Sequence, residues 1–328
     1  MDSEIEFLGY LAFKGLEDNH RIEFDEGMLG KAMHDLDQNR SKAKRLPMQL
    51  IHWLKGTSFL HTSDTDLGTN PRNFQGTWYF LHLTFQEYFA ATWLTRHLQA
   101  DDGEETSMLM MTPEVTKEFV LKEKYNPRYE IVWWMVAGQL EGETLVSFFN
   151  LLQEPPVDLI GGYHHRLLAA CLKEGWNQLE RQRVEGLETQ LTQWLQLEMK
   201  INNDSKNGSI LGSMSYFPED LLIGSFGQPG ASQDYLIRTL EMRTSLTQSA
   251  VEILLEVLQG NEGPKEIAVR ALRKQSTLPE SALQALIGAL QDNEDVRRSA
   301  AEVLGKQSTL PESALQALID ALQDEDQN

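Results

Sequence analysis

The chain has 328 residues, and a chain of this length is expected to form two or three domains rather than one. Hydrophobic residues make up 41% of it, enough to fill such cores. The formal net charge of -20 argues against a nucleic-acid-binding face and against docking on an anionic membrane, since both need clustered Lys and Arg. We therefore predict no nucleic acid and no membrane among its partners.

The cytoplasm is the expected compartment. Residues 1–6 lack the basic and apolar regions of a signal peptide, and no run of ~18 apolar residues could span a membrane. The single cysteine, Cys171, rules out an intrachain disulfide and a Cys-based zinc site. Its apolar neighbours, residues 167–172, are typical of a helix core, so we predict a buried structural thiol rather than a nucleophile.

Residues 77–98 predict a short strand followed by a helix. The strand is expected over residues 77–81, which are β-branched and aromatic, and apolar residues follow helical spacing from Thr84. Thr84 and Glu87 have the spacing of a capping box. His82 therefore falls at a strand-to-helix junction, where exposed N–H groups and the helix dipole favour an anion.

This segment carries a family resemblance. Residues 80–91 read Phe-Leu-His-Leu-Thr-Phe-Gln-Glu-Tyr-Phe-Ala-Ala. They resemble the Phe-x-His-x-Thr-Phe-Gln-Glu-Phe-x-Ala-Ala signature that ends the winged-helix domain of NACHT-type signalling NTPases, the NOD-like receptor class of STAND proteins. The resemblance covers roughly residues 5–98 and, more weakly, the helical stretch to about residue 175. It implies a wing hairpin of residues 57–62 and 77–81.

In that family the motif histidine contacts the β-phosphate of bound ADP and holds the protein in its closed state. The resemblance assigns this role to His82, with ADP or ATP held by a nucleotide-binding domain that is missing here; the alternative is a core or capping histidine. The chain departs from the family because it has no Gly-x4-Gly-Lys-Ser/Thr: Gly30-Lys31 has Asp25 at the first glycine position and is followed by Ala32. We expect no ATP hydrolysis by this chain alone and no catalytic residue.

Residues 99–201 predict a helical domain and residues 202–235, rich in Gly, Pro and Asn, a turn-rich connector. Trp133 and Trp134 are interpreted as helix packing. His164 and His165 are adjacent and point in different directions on a helix, so we predict no metal site. Two apolar stripes are expected, at Leu145, Phe148, Phe149 and Leu152, and at Leu187, Leu191, Trp194, Leu195 and Leu197.

The C-terminal part contains a repeat. Residues 274–287 recur without change as residues 306–319, an offset of 32 residues, and a weaker copy begins at Ser245. Each unit predicts two helices. Thr277 and Glu280 have capping-box spacing before the first, and Pro279 is expected in its first turn. The expected stripes are Leu283, Leu286, Ile287 and Leu290, and then Val296, Ala300, Val303 and Leu304.

Such a helix pair cannot bury its apolar face alone, so we expect an α-solenoid of about 2.5 to 3 units over residues 236–328. The signature patterns of ankyrin and tetratricopeptide repeats are both missing. The unit resembles short HEAT repeats, and residues 295–301, Asp-Val-Arg-Arg-Ser-Ala-Ala, carry this resemblance. The third copy stops after its first helix, so we expect a chain cut from a longer array; an acidic tail that caps the array is the alternative.

The predicted fold is mainly α: a winged-helix-like domain with a small β-hairpin (residues 1–98), a helical domain (99–201), a connector (202–235) and HEAT-like repeats (236–328). The expected function is the non-catalytic regulatory or sensor portion of a NACHT-type nucleotide-dependent switch. Its partners would be a missing upstream NTPase domain and a protein bound by the repeats. Two alternatives stay open: a generic HEAT-repeat scaffold that binds a protein, and an enzyme of the repeat-containing lyase type.

Overall fold

The structure is a computed structural model that describes residues 3–18, 21–38, 59–62, 76–100, 110–158, 162–202, 207–260, 263–275, 277–307 and 309–325. It is mainly helical with one small antiparallel sheet, which is the predicted fold class. The chain forms two compact units, Met1–Val184 (unit 1) and Glu185–Asn328 (unit 2). The finer domain boundaries at residues 98, 201 and 235 stay predictions. Within the described ranges, no helix has both the length and the apolar character that crossing a membrane requires.

In residues 3–18, 21–38, 59–62 and 76–100, unit 1 has three helices and three strands. They are α1 (Ser3–Glu17), β1 (Glu23–Phe24), α2 (Glu26–Gln38), β2 (Leu60–Thr62), β3 (Trp78–Phe80) and α3 (Leu83–Gln99). β3 lies between β1 and β2 and pairs with both in the antiparallel direction. β2 and β3 form the predicted hairpin, in agreement with a winged-helix-like domain. Residues 57–58 and 63–75 of the predicted wing lie outside the described residues.

The start of α3 differs from the sequence prediction. The helix begins at Leu83, and its N-cap is His82, whose Nδ1 accepts a hydrogen bond from the backbone N–H of Thr84 at 3.1 Å. The predicted capping box of Thr84 and Glu87 is wrong, because Thr84 is already inside the helix and Glu87 is buried on its inner side. A histidine nitrogen thus takes the role that hydroxyl and carboxyl oxygens more often have at helix starts.

The elements described in residues 110–158 and 162–184 of unit 1 are helical. They include α4 (Pro113–Glu123), a 3₁₀ turn (Pro127–Tyr129), α5 (Glu130–Gln139), α6 (Gly142–Gln153), α7 (Tyr163–Gly175) and a second 3₁₀ turn (Trp176–Gln178). The predicted stripe of α6 is buried throughout. Trp133 is fully buried against Phe119, Tyr129 and Phe148, which confirms its packing role. Cys171 is fully buried, as predicted.

α8 (Arg181–Ile201) begins at the end of unit 1 and continues into unit 2. Leu187, Leu191 and Leu195 are buried as predicted, whereas Leu197 is exposed. The buried row repeats every four residues along the helix, so its next member is Met199 rather than Leu197.

Unit 2 continues with helices in two rows. Its further helices are α9 (Ile210–Ser213), α10 (Glu219–Ile223), α11 (Gln233–Met242), α12 (Gln248–Gln259), α13 (Lys265–Leu272), α14 (Glu280–Ala289), α15 (Glu294–Gly305) and α16 (Glu312–Glu325). In what we call the first-helix row, α10 packs on α12, α12 on α14 and α14 on α16. In the second-helix row, α11 packs on α13 and α13 on α15. The segment predicted as a connector therefore contains helices that already belong to the stack.

The caps of the repeats differ between copies. α14 begins at Glu280 with Pro279 as its N-cap and without a side-chain cap hydrogen bond, so the predicted capping box of Thr277 and Glu280 is wrong. Since Pro279 is in an extended conformation just before the helix, Thr277 lies too far upstream to reach its first N–H groups. The residue that corresponds to Pro279 before α12, 32 residues earlier, is Thr247, and its hydroxyl accepts from the N–H of Ala250.

The two identical copies of residues 274–287 show how burial depends on a neighbour. In α14, Leu283 is 7% exposed, whereas the equivalent Leu315 in α16 is 50% exposed. Ile319 is also exposed, so the last half-repeat has exposed apolar side chains among the described residues. Nearest-neighbour stacking accounts for the difference, because the sequence is the same.

A buried ion pair holds the first helices of unit 2 together. Arg243, just after α11, lies 2.9 Å (Nε to Oε2) from the carboxylate of Glu219 at the start of α10, and both are buried. Glu219 in turn accepts the backbone N–H of Thr247, the N-cap of α12, at 2.8 Å. The guanidinium also donates to the carbonyl oxygens of Gly212, Met214 and Phe217. The guanidinium is therefore held inside the protein by one carboxylate and three carbonyl groups.

We expect Arg243→Ala to destabilise unit 2 by about 3–5 kcal/mol, because it leaves the Glu219 carboxylate buried without its partner. The control is Arg238→Ala on α11, which removes a more exposed pair with Asp234 and should cost at most about 1 kcal/mol. Hydrogen exchange of the backbone amides of α10 to α12 measures both. Equal exchange rates in the two variants would contradict the assignment.

Candidate functional site

Unit 1 contains the one candidate binding residue that the sequence singled out, His82. Its side chain is exposed at the N-terminus of α3. Because Nδ1 accepts from Thr84, the neutral ring carries its proton on Nε2, and this N–H can donate to an anion. The helix N-terminus adds further N–H groups and the positive end of the helix dipole. The geometry is therefore compatible with a phosphate contact.

One neighbour opposes such a contact. Burial raises the pKa of Glu87, while the nearby charge of His82 lowers it. An ionised Glu87 would repel a phosphate next to His82, whereas the raised pKa lessens that repulsion. Exposed apolar side chains also flank the histidine: Leu81, Leu83 and Tyr88.

Most other residues of the signature serve packing. Gln86 is fully buried, and its Nε2 donates to the carbonyl oxygen of Arg21 at 3.0 Å, which ties α3 to the segment before β1. Gly15 lies against this amide, and a Cβ there would come within 2.6 Å of Nε2 and 2.8 Å of the Arg21 oxygen. Phe89, Ala90 and Ala91 are buried in the same core. Packing of α3 against its neighbours therefore accounts for most residues of the signature, and a ligand contact is not needed to explain them.

A buried polar cluster in unit 1 was not found from the sequence. Lys124, after α4, donates to the carbonyl oxygens of Leu152 (3.1 Å) and Glu154 at the end of α6, so it satisfies groups that a helix C-terminus leaves unpaired. Next to it, the Tyr125 hydroxyl lies 3.0 Å from Nδ1 of His164. The partners are 28 or more residues apart, and no local pattern in the sequence connects them.

Burial shifts the titration of several groups in unit 1. Burial lowers the pKa of His164 to about 4, assisted by the neighbouring His165 and Lys124. His97, whose Nδ1 is 2.7 Å from the Trp93 carbonyl oxygen, also has a pKa lowered to about 4 by burial. Burial raises the pKa of Cys171. In the described part of the chain, no group of three or more His, Cys, Asp or Glu side chains could hold a metal ion.

Unit 2 separates its charges by row. Every Lys and Arg of residues 207–328 lies in a second-row helix or in the turn after one, while the first-row helices carry acidic and neutral residues alone. Ion pairs connect successive second-row helices: Arg270 to Glu241 at 2.9 Å and Arg273 to Glu302 at 3.5 Å. The basic residues are thus partly used within the stack, and the first-helix row is left acidic.

Comparison with known proteins identifies this stack. A family model for HEAT repeats matches residues 247–328, so the C-terminal part of the chain is an array of HEAT repeats. Among solved structures, an engineered protein from a structural genomics consortium shares 14% identity with a match over 97% of this chain and 82% of its own. Its TM-score of 0.27 is too low to indicate a shared fold. The curated proteins give no match.

The stability of unit 1 should fall as the pH is lowered from 6.5 towards 4. In that range the unfolded chain binds protons on His97 and His164, while the folded unit does not until about pH 4. Each histidine contributes a loss of up to about 1.4 kcal/mol per pH unit. The raised pKa of Glu87 acts in the opposite direction, since its contribution is lost as the pH rises.

Urea denaturation between pH 7 and 4.5, followed by tryptophan fluorescence, checks this, because every tryptophan except Trp194 lies in unit 1. The double variant His97→Leu and His164→Leu should have a smaller pH dependence. An equal slope in the wild type and the double variant would show that these histidines are not the cause.

Proposed function

We propose that this chain is a non-catalytic component that binds a protein partner through the HEAT repeats of unit 2. The observation that carries the proposal is the family match over residues 247–328, together with the regular stacking of α10 to α16 in two rows. HEAT repeats commonly mediate protein–protein interactions. A solenoid suits this role because stacked helix pairs expose one long continuous surface.

Lysine-specific cross-linking tests the proposal. A partner bound by unit 2 should cross-link to Lys274 and Lys306, which are exposed in the turns after α13 and α15. The control is the double variant Lys274→Arg and Lys306→Arg, which keeps both charges and should lose the cross-links without losing the partner. A partner that cross-links to Lys14, Lys117 or Lys122 of unit 1 instead would contradict the proposal.

The finer proposal is that unit 1 acts as the lid of a NACHT-type nucleotide-dependent switch. The resemblance of residues 80–91 to the family signature supports it, and so does the exposed Nε2–H of His82 at a helix N-terminus. In this proposal His82 contacts ADP held by a separate nucleotide-binding domain, and loss of ADP shifts the population towards an open state. The repeats would then bind the trigger or fold back to inhibit.

Calorimetry with ADP tests the proposal that unit 1 closes on bound nucleotide through His82. In a protein in which the nucleotide-binding domain precedes this chain, His82→Ala should weaken ADP binding about tenfold or more, as expected for the loss of a charge-assisted hydrogen bond. His82→Asn should weaken it as much, although an asparagine still accepts from the N–H of Thr84 and keeps the helix start. Normal ADP affinity in His82→Asn would mean that the histidine is a capping residue only.

The lyase alternative has the least support. Such an enzyme would need a reactive group, and Cys171 is fully buried with a raised pKa, which leaves the thiol protonated and out of reach. The cysteine also lies in unit 1 and not in the repeats. We therefore keep the non-catalytic proposal.

A further inference from the structure

Unit 2 contains a groove of about 650 Å³, lined by apolar and polar groups, between the α10–α11 loop and α12. Buried Leu236 and Val257 form its floor, and the half-buried side chains of Ile223, Phe226 and Ile253 form its walls. Gln228, Gln233 and Glu256 stand at the rim, where all three are exposed. A groove of this kind can enclose an apolar side chain and satisfy polar groups beside it.

The groove exists because one repeat has a longer connection. The turns between first and second helices are residues 260–264 and 290–293 in the two later repeats, whereas residues 224–232 connect α10 to α11. The extra residues stand beside α12 as one wall of the groove. In repeat proteins, insertions within single repeats form loops on one face, and this is often the binding face.

Hydrogen bonds hold the loop of residues 224–232 in a defined conformation. Ser225 is buried, and its hydroxyl donates to the carbonyl oxygen of Leu221 at 2.7 Å. Two further turns close within it, with the N–H of Ala231 donating to the Gln228 oxygen at 3.0 Å. Gly227 and Gly230 have φ values of 75° and 80°, which side chains rarely adopt. The walls are therefore in position before anything binds, which lowers the entropy cost of binding.

The charged residues around the groove indicate which kind of partner it would bind. Glu256 is the only charged residue among those described as lining it, and the exposed Glu252 lies one turn away on α12. No first-row helix contains a Lys or Arg that could balance them. Glu256 and Glu252 therefore place negative charge on the α12 side of the groove, which complements a partner that presents an apolar side chain next to a basic one.

We propose that this groove binds a short protein segment in which one or two apolar side chains stand next to Lys or Arg. The inference rests on the proposed protein-binding function and names the site and the chemistry of the partner. The apolar side chains enter between Phe226 and Ile253, and the basic residue pairs with Glu256.

Fluorescence anisotropy with the full chain tests the proposal. The probe is the labelled peptide Gly-Ser-Leu-Ser-Ser-Leu-Lys-Lys-Ser-Gly, with two matched peptides in which both Lys are Glu or both Leu are Ser. The first peptide should bind, and the two matched peptides should not. Glu256→Lys and Phe226→Ala should each weaken the binding about tenfold or more. Gln228→Arg, on an exposed rim residue, gives the same test if Phe226→Ala fails to fold.

The control variant is Glu280→Lys, which reverses an exposed charge of the first-helix row outside the groove and should leave the affinity unchanged. Equal affinity of the wild type and the groove variants for the first peptide would overturn the proposal. So would binding of tryptamine at the groove without binding of the peptide, since that outcome defines a small-molecule site. If a partner still cross-links to unit 2 while the groove variants have no effect, the groove proposal fails and the protein-binding function stands.

Discussion

A helix pair in unit 2 buries its apolar stripe only when another pair stacks on it, and this constraint organises the repeats. The same fourteen-residue sequence, residues 274–287 and 306–319, has a buried Leu283 in one copy and a half-exposed Leu315 in the other. Stability in such an array comes from interfaces between neighbours rather than from any unit alone. The ion pair of Arg243 and Glu219 serves the same purpose at the other end of the stack, since it connects α10, α11 and the start of α12.

The stacking of helices in unit 2 also determines which charged side chains are paired within the protein and which remain available to a partner. Basic residues of the second-helix row pair with acidic residues of a neighbouring helix in that row, as Arg270 does with Glu241. Part of the net charge of -20 is thereby left on the first-helix row, where no basic residue balances it. Charge distribution of this kind influences which partners associate and how fast, more than it influences the fold. The groove beside α12 lies on this row and adds an apolar surface to the charge.

Unit 1 illustrates how a sequence signature can have two physical origins. Gln86 packs closely against Gly15, and Phe89 to Ala91 are buried in the core, so packing alone explains these residues. His82 is different, because a histidine is not a usual N-cap and its second nitrogen is left exposed. Packing therefore does not explain why the signature has a histidine at position 82.

The sequence by itself determined the mainly helical class, the strands around residues 60 and 79, the repeat of 32 residues and the apolar stripes of the repeats. The helices, the repeat and its stripes follow from local periodicity, and the strand at residues 77–81 follows from its β-branched and aromatic composition. The strand near residue 60 was expected only from the family resemblance. Helix starts were less predictable, because Thr84 and Thr277 have the right spacing for a cap but the chain enters each helix elsewhere.

Only the tertiary structure decided the contacts between distant residues. Lys124 reaches carbonyl groups at the end of α6, and Arg243 after α11 reaches Glu219 at the start of α10; neither contact leaves a periodic pattern in the sequence. The groove likewise depends on how residues 224–232, a longer connection than the turns of the later repeats, stand against α12. The physical reason is that pairing and burial of polar groups depend on three-dimensional proximity, which the spacing of residues does not encode.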